Sequence, residues 1–182
     1  MNIIDNAISK TDFTAIQDLM LSASFPWYFN ESVLNPDNEQ TAFDDLNDFQ
    51  LTHSFYYDNG EYGYIGSEYF DLMKPIIRKL NSRCLLRIKA NLRIVAPEKD
   101  MIAGWHTDYV DAYNMTTAIF YVNSNNGYTL FKASKKKVES VENRLLIFPT
   151  NLEHCGVGCT DNKQRIVINF NYSKSIGKEQ YK

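Results

Sequence analysis

Long apolar runs are missing from this sequence. No stretch approaches the roughly 18 consecutive apolar residues that a membrane-spanning helix needs. The opening Met-Asn-Ile-Ile-Asp also lacks the basic, apolar, small-residue order of a secretory leader, so the expectation is a soluble cytoplasmic protein. Cysteine is scarce: Cys84, Cys155 and Cys159 are too few for a secreted disulfide framework, and the last two lack the spacing and second pair of a structural zinc site. Charge of one sign is lacking too. With 19 basic and 22 acidic residues the formal charge is −3, which counts against a protein that lives by gripping phosphate backbones. Eight glycines and five prolines exclude collagen-like or low-complexity chains, and no Gly-x-Gly-x-x-Gly, P-loop or Gly-x-Ser-x-Gly is present.

What remains is an ordinary globular composition, 44% apolar and 23% charged, in a chain of 182 residues, enough for one domain. Aromatics at 14% suit strands better than a helical bundle. Residues 1–82 read as helical support and loops. A helix is expected from Thr11-Asp12 through Phe13, Ile16, Leu19 and Met20, ending before Phe25-Pro26. Phe29 to Gln50 is read as loop, and Tyr56 to Gly66 as an extended excursion. A second helix is expected from a Ser67 cap through Phe70, Met73, Ile77 and Leu80, with Pro75 inside it.

At Arg83 the period changes from 3.6 to 2. Leu86, Ile88, Ala90, Leu92 and Ile94 alternate with Arg87, Lys89, Asn91 and Arg93, the pattern of a half-buried strand. Further strands are expected at Thr116–Asn123, Tyr128–Ala133, Arg144–Pro149 and Arg165–Tyr172. Turns are expected at Asn125-Asn126-Gly127, Lys135–Lys137 and Asp161-Asn162, and a frayed tail after Ser173. The fold class is therefore mainly β (α+β), a sandwich or barrel of jelly-roll type over 83–173 with supporting N-terminal helices, all in a single domain 1–182.

The candidate chemistry lies in the second half. His106 and Asp108 stand at i and i+2, the same face of an extended segment, and can reach one ion together. His154 follows the apolar Leu145-Leu146-Ile147-Phe148 and Pro149. Two imidazoles and a carboxylate from adjacent strands make the facial arrangement of non-haem iron, with open positions left over. In the last strand Arg165, Val167, Asn169 and Asn171 share one face, and Ile166, Ile168, Phe170 and Tyr172 the core face. A guanidinium at Arg165 needs an acid, and a dicarboxylate ligand or a surface carboxylate would supply it. Cys155 is read as a small core residue, because its neighbour His154 points to the opposite face and cannot serve its thiol. Trp105 is read as a core tryptophan, and His53 receives no role.

Trp105-His106-Thr107-Asp108, Ala118-Ile119-Phe120-Tyr121-Val122-Asn123, Arg144–Phe148, His154 and Arg165 together resemble the Fe(II)/2-oxoglutarate-dependent dioxygenases. Within them the likeness is to the prolyl 4-hydroxylase-like branch and its small members in tailed phages, over about residues 83–173. The resemblance implies a double-stranded β-helix with Fe(II) held by His106, Asp108 and His154. Arg165 would take the distal carboxylate of 2-oxoglutarate, with Tyr121, Asn169 and Asn91 around it. Many relatives carry a tyrosine where this chain has Arg93. The implied reaction couples O2 and 2-oxoglutarate to hydroxylation of a substrate C–H, with release of succinate and CO2 and with ascorbate as an accessory reductant. A prolyl residue in a peptide or protein is the substrate it suggests; a small molecule stays open, nucleic acid is disfavoured, no membrane is involved, and a phage-encoded chain would act in the host cytoplasm. A non-catalytic jelly-roll binding module and a cupin-type enzyme with another metal are the alternatives. The loops at Tyr56–Gly66 and Ala96–Gly104 are expected to set selectivity.

Overall fold

The computed structural model describes residues 1–31, 49–58, 63–98, 104–108 and 114–174. In chain order the elements are β1 (Asn2–Ile4), α1 (Lys10–Leu21), β2 (Tyr28–Asn30), β3 (Gln50–Asp58), β4 (Gly63–Ile65), a 3-10 helix (Glu68–Met73), α2 (Lys74–Leu80) and β5 (Ser82–Ile94). Then follow β6 (Met115–Tyr121), β7 (Asn125–Phe131), β8 (Lys137–Ser140), β9 (Arg144–Pro149), β10 (His154–Val157) and β11 (Gln164–Lys174). Eight strands make one antiparallel sheet in the order β1-β9-β6-β11-β5-β3-β2, with β4 on β3; a second sheet of three runs β10-β7-β8. The chain is mainly β with two facing antiparallel sheets, a jelly-roll core, as its alternating second half requires.

Two hydrophobic layers form because the large sheet is apolar on both faces. On the outer face Ala118, Phe120, Ile166, Ile168 and Phe170 meet Phe13, Ile16 and Met20 of α1 and Ile76 and Leu80 of α2. On the inner face Ile119, Tyr121, Leu146, Phe148 and Val167 meet Phe131 and Val138 of the small sheet. The helices thus brace the sheet from outside, and the polar half of β5 and β11 faces the space between the sheets.

Several expectations shift in detail. The first helix begins at Lys10, capped by Ser9, whose Oγ accepts from the Asp12 amide at 3.1 Å. Pro75 is no interruption. Ser67 caps the 3-10 helix, and Pro75 falls in the first turn of α2, where its missing N–H has no partner to lose. The core face of β5 is Ile88, Ala90 and Leu92, but Leu86 and Ile94 are outside it. Arg87 pairs with Asn171 and Leu85 with Tyr172, so Leu86 is bulged out and Leu85 takes the inward position; Ile94, at the strand end, is 49% exposed. The first half also supplies β1 to β4, which pair at both sides of the large sheet.

Asn125-Asn126-Gly127 opens β7 as an irregular strand instead of forming a turn. The glycine serves a close approach: a Cβ at Gly127 would lie 2.8 Å from both the Arg165 stem and the Val157 carbonyl oxygen. Of the three lysines, Lys135 turns with φ 55° and Lys137 enters β8, its ammonium 4.4 Å from the centre of the Tyr128 ring. Most of the loop read over Phe29–Gln50 and the tail beyond residue 174 lie outside the described residues.

Candidate metal and co-substrate site

His106 and His154 lie opposite each other as an antiparallel bridge, with reciprocal backbone bonds of 3.0 and 2.9 Å. This bridge lengthens the small sheet by one position beside β10 and sets the two rings 4.5 Å apart. Gly104, at φ 81°, makes the turn into it that a side chain would strain. Asp108, two residues on, reaches the same point: one donor atom each from His106, Asp108 and His154 all lie within 4.8 Å of one another.

Each donor is oriented by a further contact. The His154 Nδ1–H donates to the Leu152 carbonyl at 2.9 Å, which leaves Nε2 as the free lone pair. The Phe148 and Phe131 rings pack on it at 4.8 and 5.9 Å and keep water from that side. The Asp108 side chain is 3% exposed; Thr117 donates its hydroxyl to Oδ2 at 2.6 Å, and Arg87 reaches Oδ1 at 3.3 Å. Burial pushes this carboxyl up, but His154, the Arg87 guanidinium and the Thr117 hydroxyl outweigh it and hold it below the usual range. Burial, reinforced by His154, pulls His106 down to about 4. A neutral His106 imidazole and an ionised Asp108 carboxylate at neutral pH, together with the Nε2 lone pair of His154, make a donor set suited to a divalent transition metal.

Arg165, on β11 of the large sheet, is 5% exposed. Its Nε donates to Ser140 at 2.9 Å, Nη2 approaches Thr129 at 3.4 Å, and its guanidinium stands 5.8 Å from the Tyr121 ring centre. Among the described residues it has no carboxylate partner, and burial pulls its pKa below the ordinary value. A buried cation held only by two hydroxyls is costly, so the arrangement fits an anionic ligand. Tyr121 bonds through its hydroxyl to Thr129 at 2.8 Å, and burial pushes that phenol up. Asn169 and Asn91 share the inner face, their amide oxygens buried without partners among the described residues. Arg93 stands directly across from Arg165.

Cys155 packs away from the cluster with Tyr128 and Val157, its thiol pushed by burial to about 11, too high for a nucleophile. Trp105 packs against this small cluster only in part, with the Lys135 ammonium 5.7 Å from its ring centre. His53 is a satisfied core imidazole, bonded to the Pro26 carbonyl at 2.8 Å and the Ser67 hydroxyl at 2.7 Å. Much of the two loops expected to set selectivity lies outside the described residues, at 59–62 and 99–103.

Sequence reasoning missed Thr117, Arg87 and Asn171, which orient Asp108, and Thr129 and Ser140, which hold Arg165. Arg87 donates to the Asn171 amide oxygen at 3.0 Å, and that amide donates to Thr117 at 3.1 Å. Period 2 already puts Arg87, Asn171 and Thr117 on the faces of the residues that were found. What it lacks is the register Arg87–Asn171–Thr117 across three strands.

No family model and no curated protein matches the sequence. Solved structures do. A 2OG-Fe(II) oxygenase family oxidoreductase from Burkholderia pseudomallei superposes with a TM-score of 0.65 at 13% identity, over 96% of this chain and 85% of that one. The α-ketoglutarate-dependent non-haem epimerase SnoN of nogalamycin biosynthesis gives 0.61 at 9%, over 94% and 77%. A Trichoplax adhaerens prolyl hydroxylase, in complex with a hypoxia inducible factor oxygen degradation domain peptide fragment, gives 0.58 at 16%, over 95% and 83%. The chain thus has the double-stranded β-helix fold of the 2OG-Fe(II) oxygenases, prolyl hydroxylases among them.

Proposed function

We propose that this chain is a non-haem Fe(II)- and 2-oxoglutarate-dependent oxygenase with 83–173 as its catalytic core. The observation that carries the reading is that one fold holds both the His106-Asp108-His154 cluster and a buried arginine that has no carboxylate partner among the described residues. His106, Asp108 and His154 would hold the metal, and Arg165 would pair with the distal carboxylate of the co-substrate. Bound iron with 2-oxoglutarate supplies the oxidation of a C–H bond by O2, coupled to decarboxylation to succinate.

The chain's own residues prepare that chemistry. The Leu152 carbonyl fixes the His154 tautomer, and Thr117 and Arg87 lock the Asp108 rotamer. Ser140 and Thr129 aim the Arg165 guanidinium, and Tyr121, tied to Thr129, walls the pocket beside it. Asn91 and Asn169 would flank the co-substrate, and a half-turn about χ2 would present their amide donors to it. A prolyl residue in a peptide or protein is the proposed substrate; the peptide-bound prolyl hydroxylase of the same fold supports it. The epimerase of the same fold makes the reaction outcome something to measure. Ascorbate is proposed only as the reductant that rescues iron after uncoupled turnover.

The test is anaerobic. Fe(II) and 2-oxoglutarate together should produce a visible charge-transfer band, and admitting O2 should yield succinate. His106→Ala should lose both. A protein that binds neither metal nor 2-oxoglutarate, or whose succinate yield ignores His106, refutes the assignment.

A further inference from the structure

The inner face of the large sheet carries more positive charge than the proposed chemistry uses. Arg87, Lys89 and Arg93 share one face of β5, and Arg165 stands across from Arg93 on β11. The strands β3, β5, β6 and β11 contribute no carboxylate to this face, and among the described residues Asp108 is the only one that joins it. Fe(II) and dianionic 2-oxoglutarate cancel each other in charge, so filling the site leaves the charge around Lys89 unchanged. This cluster of cations is local, in a chain whose net charge is −3.

Among these cations Lys89 stands out by its lack of a bonded partner among the described residues. Arg87 reaches Asp108 and Asn171, and Arg165 is held by Ser140 and Thr129. Lys89 makes no hydrogen bond or ion pair among the described residues, although the charges of Arg87 and Asp108 act on it. On one side it stands opposite Asn169, toward the co-substrate; on the other it stands opposite Ser54 of β3, which is exposed. Beyond Ser54 the same face opens. Tyr57 lies opposite both Arg87 and Tyr64, and the two tyrosines are 49% and 61% exposed. The sheet therefore continues from the half-buried cation to an open floor of hydroxyl and aromatic groups.

We propose that the substrate is an acidic peptide that lies across this β5-β3-β4 floor and places a side-chain carboxylate on the Lys89 ammonium. This deepens the oxygenase reading and rests on it. An ammonium half-removed from water and without a partner among the described residues is stabilised by an incoming carboxylate, whereas a neutral peptide brings no such charge. Exposed tyrosine rings suit the apolar and backbone parts of a peptide. A nucleic acid would need a longer basic stripe than this floor offers.

The probe is a fluorescein-labelled proline-containing decapeptide rich in Asp and Glu, with an Asn/Gln counterpart and a labelled oligothymidylate. Anisotropy is measured anaerobically on the full chain loaded with Fe(II) and 2-oxoglutarate. The acidic peptide should bind about tenfold or more tightly than its neutral counterpart, and Lys89→Met should abolish that preference. Lys89→Arg should keep it, and Lys89→Glu should transfer it to a Lys-containing peptide, so a poorly folded methionine variant does not decide the matter. Equal binding of both peptides, a preference that survives Lys89→Met, or tighter binding of the oligothymidylate overturns the proposal. So does a rise in the 2-oxoglutarate half-saturation of Lys89→Met without peptide, which would give Lys89 to the co-substrate. Failure of the oxygenase reading is seen separately, as absence of the charge-transfer band in the unaltered protein.

Discussion

Thr117 makes the shorter of the two side-chain bonds that hold the Asp108 carboxylate, its hydroxyl donating to Oδ2 at 2.6 Å while accepting from Asn171 behind it. Thr117→Val keeps the shape and removes the donor, and leaves the Asn171 amide short of an acceptor. Metal affinity should fall about 10- to 100-fold, read by titrating Fe(II) anaerobically, and Thr117→Ser should restore most of it. Unchanged affinity in the valine variant would mean that Arg87 alone holds the carboxylate. His53 makes a different kind of prediction. Burial lowers its pKa, outweighing the Pro26 carbonyl bond, so the fold holds the neutral ring. The unfolded chain then binds more protons below the ordinary histidine value of about 6.5, and stability present above that pH is lost as pH falls toward the lower folded value. In urea titrations from about pH 7.5 down to about 5.5, His53→Gln should start less stable and show a shallower decline than the unaltered protein. Parallel declines would assign the acid sensitivity to other groups.

At the scale of elements, β7 and β11 are fitted to each other at one point. The Arg165 stem crosses Gly127 so closely that a methyl group there would press on it and on the Val157 carbonyl, and the carbonyl belongs to a paired backbone. Gly127→Ala should cost about 1–3 kcal/mol of stability by overpacking. It should also raise the 2-oxoglutarate half-saturation, because the guanidinium moves while the metal ligands stay; a denaturation midpoint and a co-substrate titration check the two effects. Wild-type values for both would show that β7 yields freely. Element legibility followed length and regularity. The 13-residue β5 and 11-residue β11 carry a clear two-residue period. β1, β8 and β10, at three and four residues, are too short to show one and form because a neighbour offers its edge. His154 opens β10, so this iron-ligand candidate was visible from its residue type and its place after the strand Arg144–Pro149, not from a period of its own.

For the molecule as a whole, helices packed outside the large sheet and a candidate site on its inner side let folding and ligand binding be measured apart. The inner cluster and both helices are closed by side-chain packing without any ligand, so the metal-free chain should unfold cooperatively. Saturation with Fe(II) and 2-oxoglutarate at about 100 times their dissociation constants should then add about 2.7 kcal/mol per ligand. For a chain of this size that is roughly 5–10 °C in Tm for each ligand. Arg165→Met should keep the metal increment and lose the co-substrate increment, as differential scanning fluorimetry under nitrogen would show. Loss of both increments would mean that Arg165 supports the metal site itself.

Sequence alone determined the things that are local in the chain: the alternation that makes β5 and β11 strands, the helical spacing of Phe13, Ile16 and Met20, and the shared face of His106 and Asp108. These follow from backbone geometry within a few residues. It also put Arg165 and Asn169 on one face and the apolar row on the other. Tertiary structure decided which distant residues became neighbours. The bridge from His106 to His154, the row Arg87-Asn171-Thr117 behind Asp108, the bulge that exchanged Leu86 for Leu85, and the glycine under Arg165 all depend on register between strands far apart in the chain. A period of two states only which side of a strand a residue faces, and a slip of two positions preserves that period while changing every partner. The long-range backbone bonds and the packing of both sheet faces select one register among these, and with it the site.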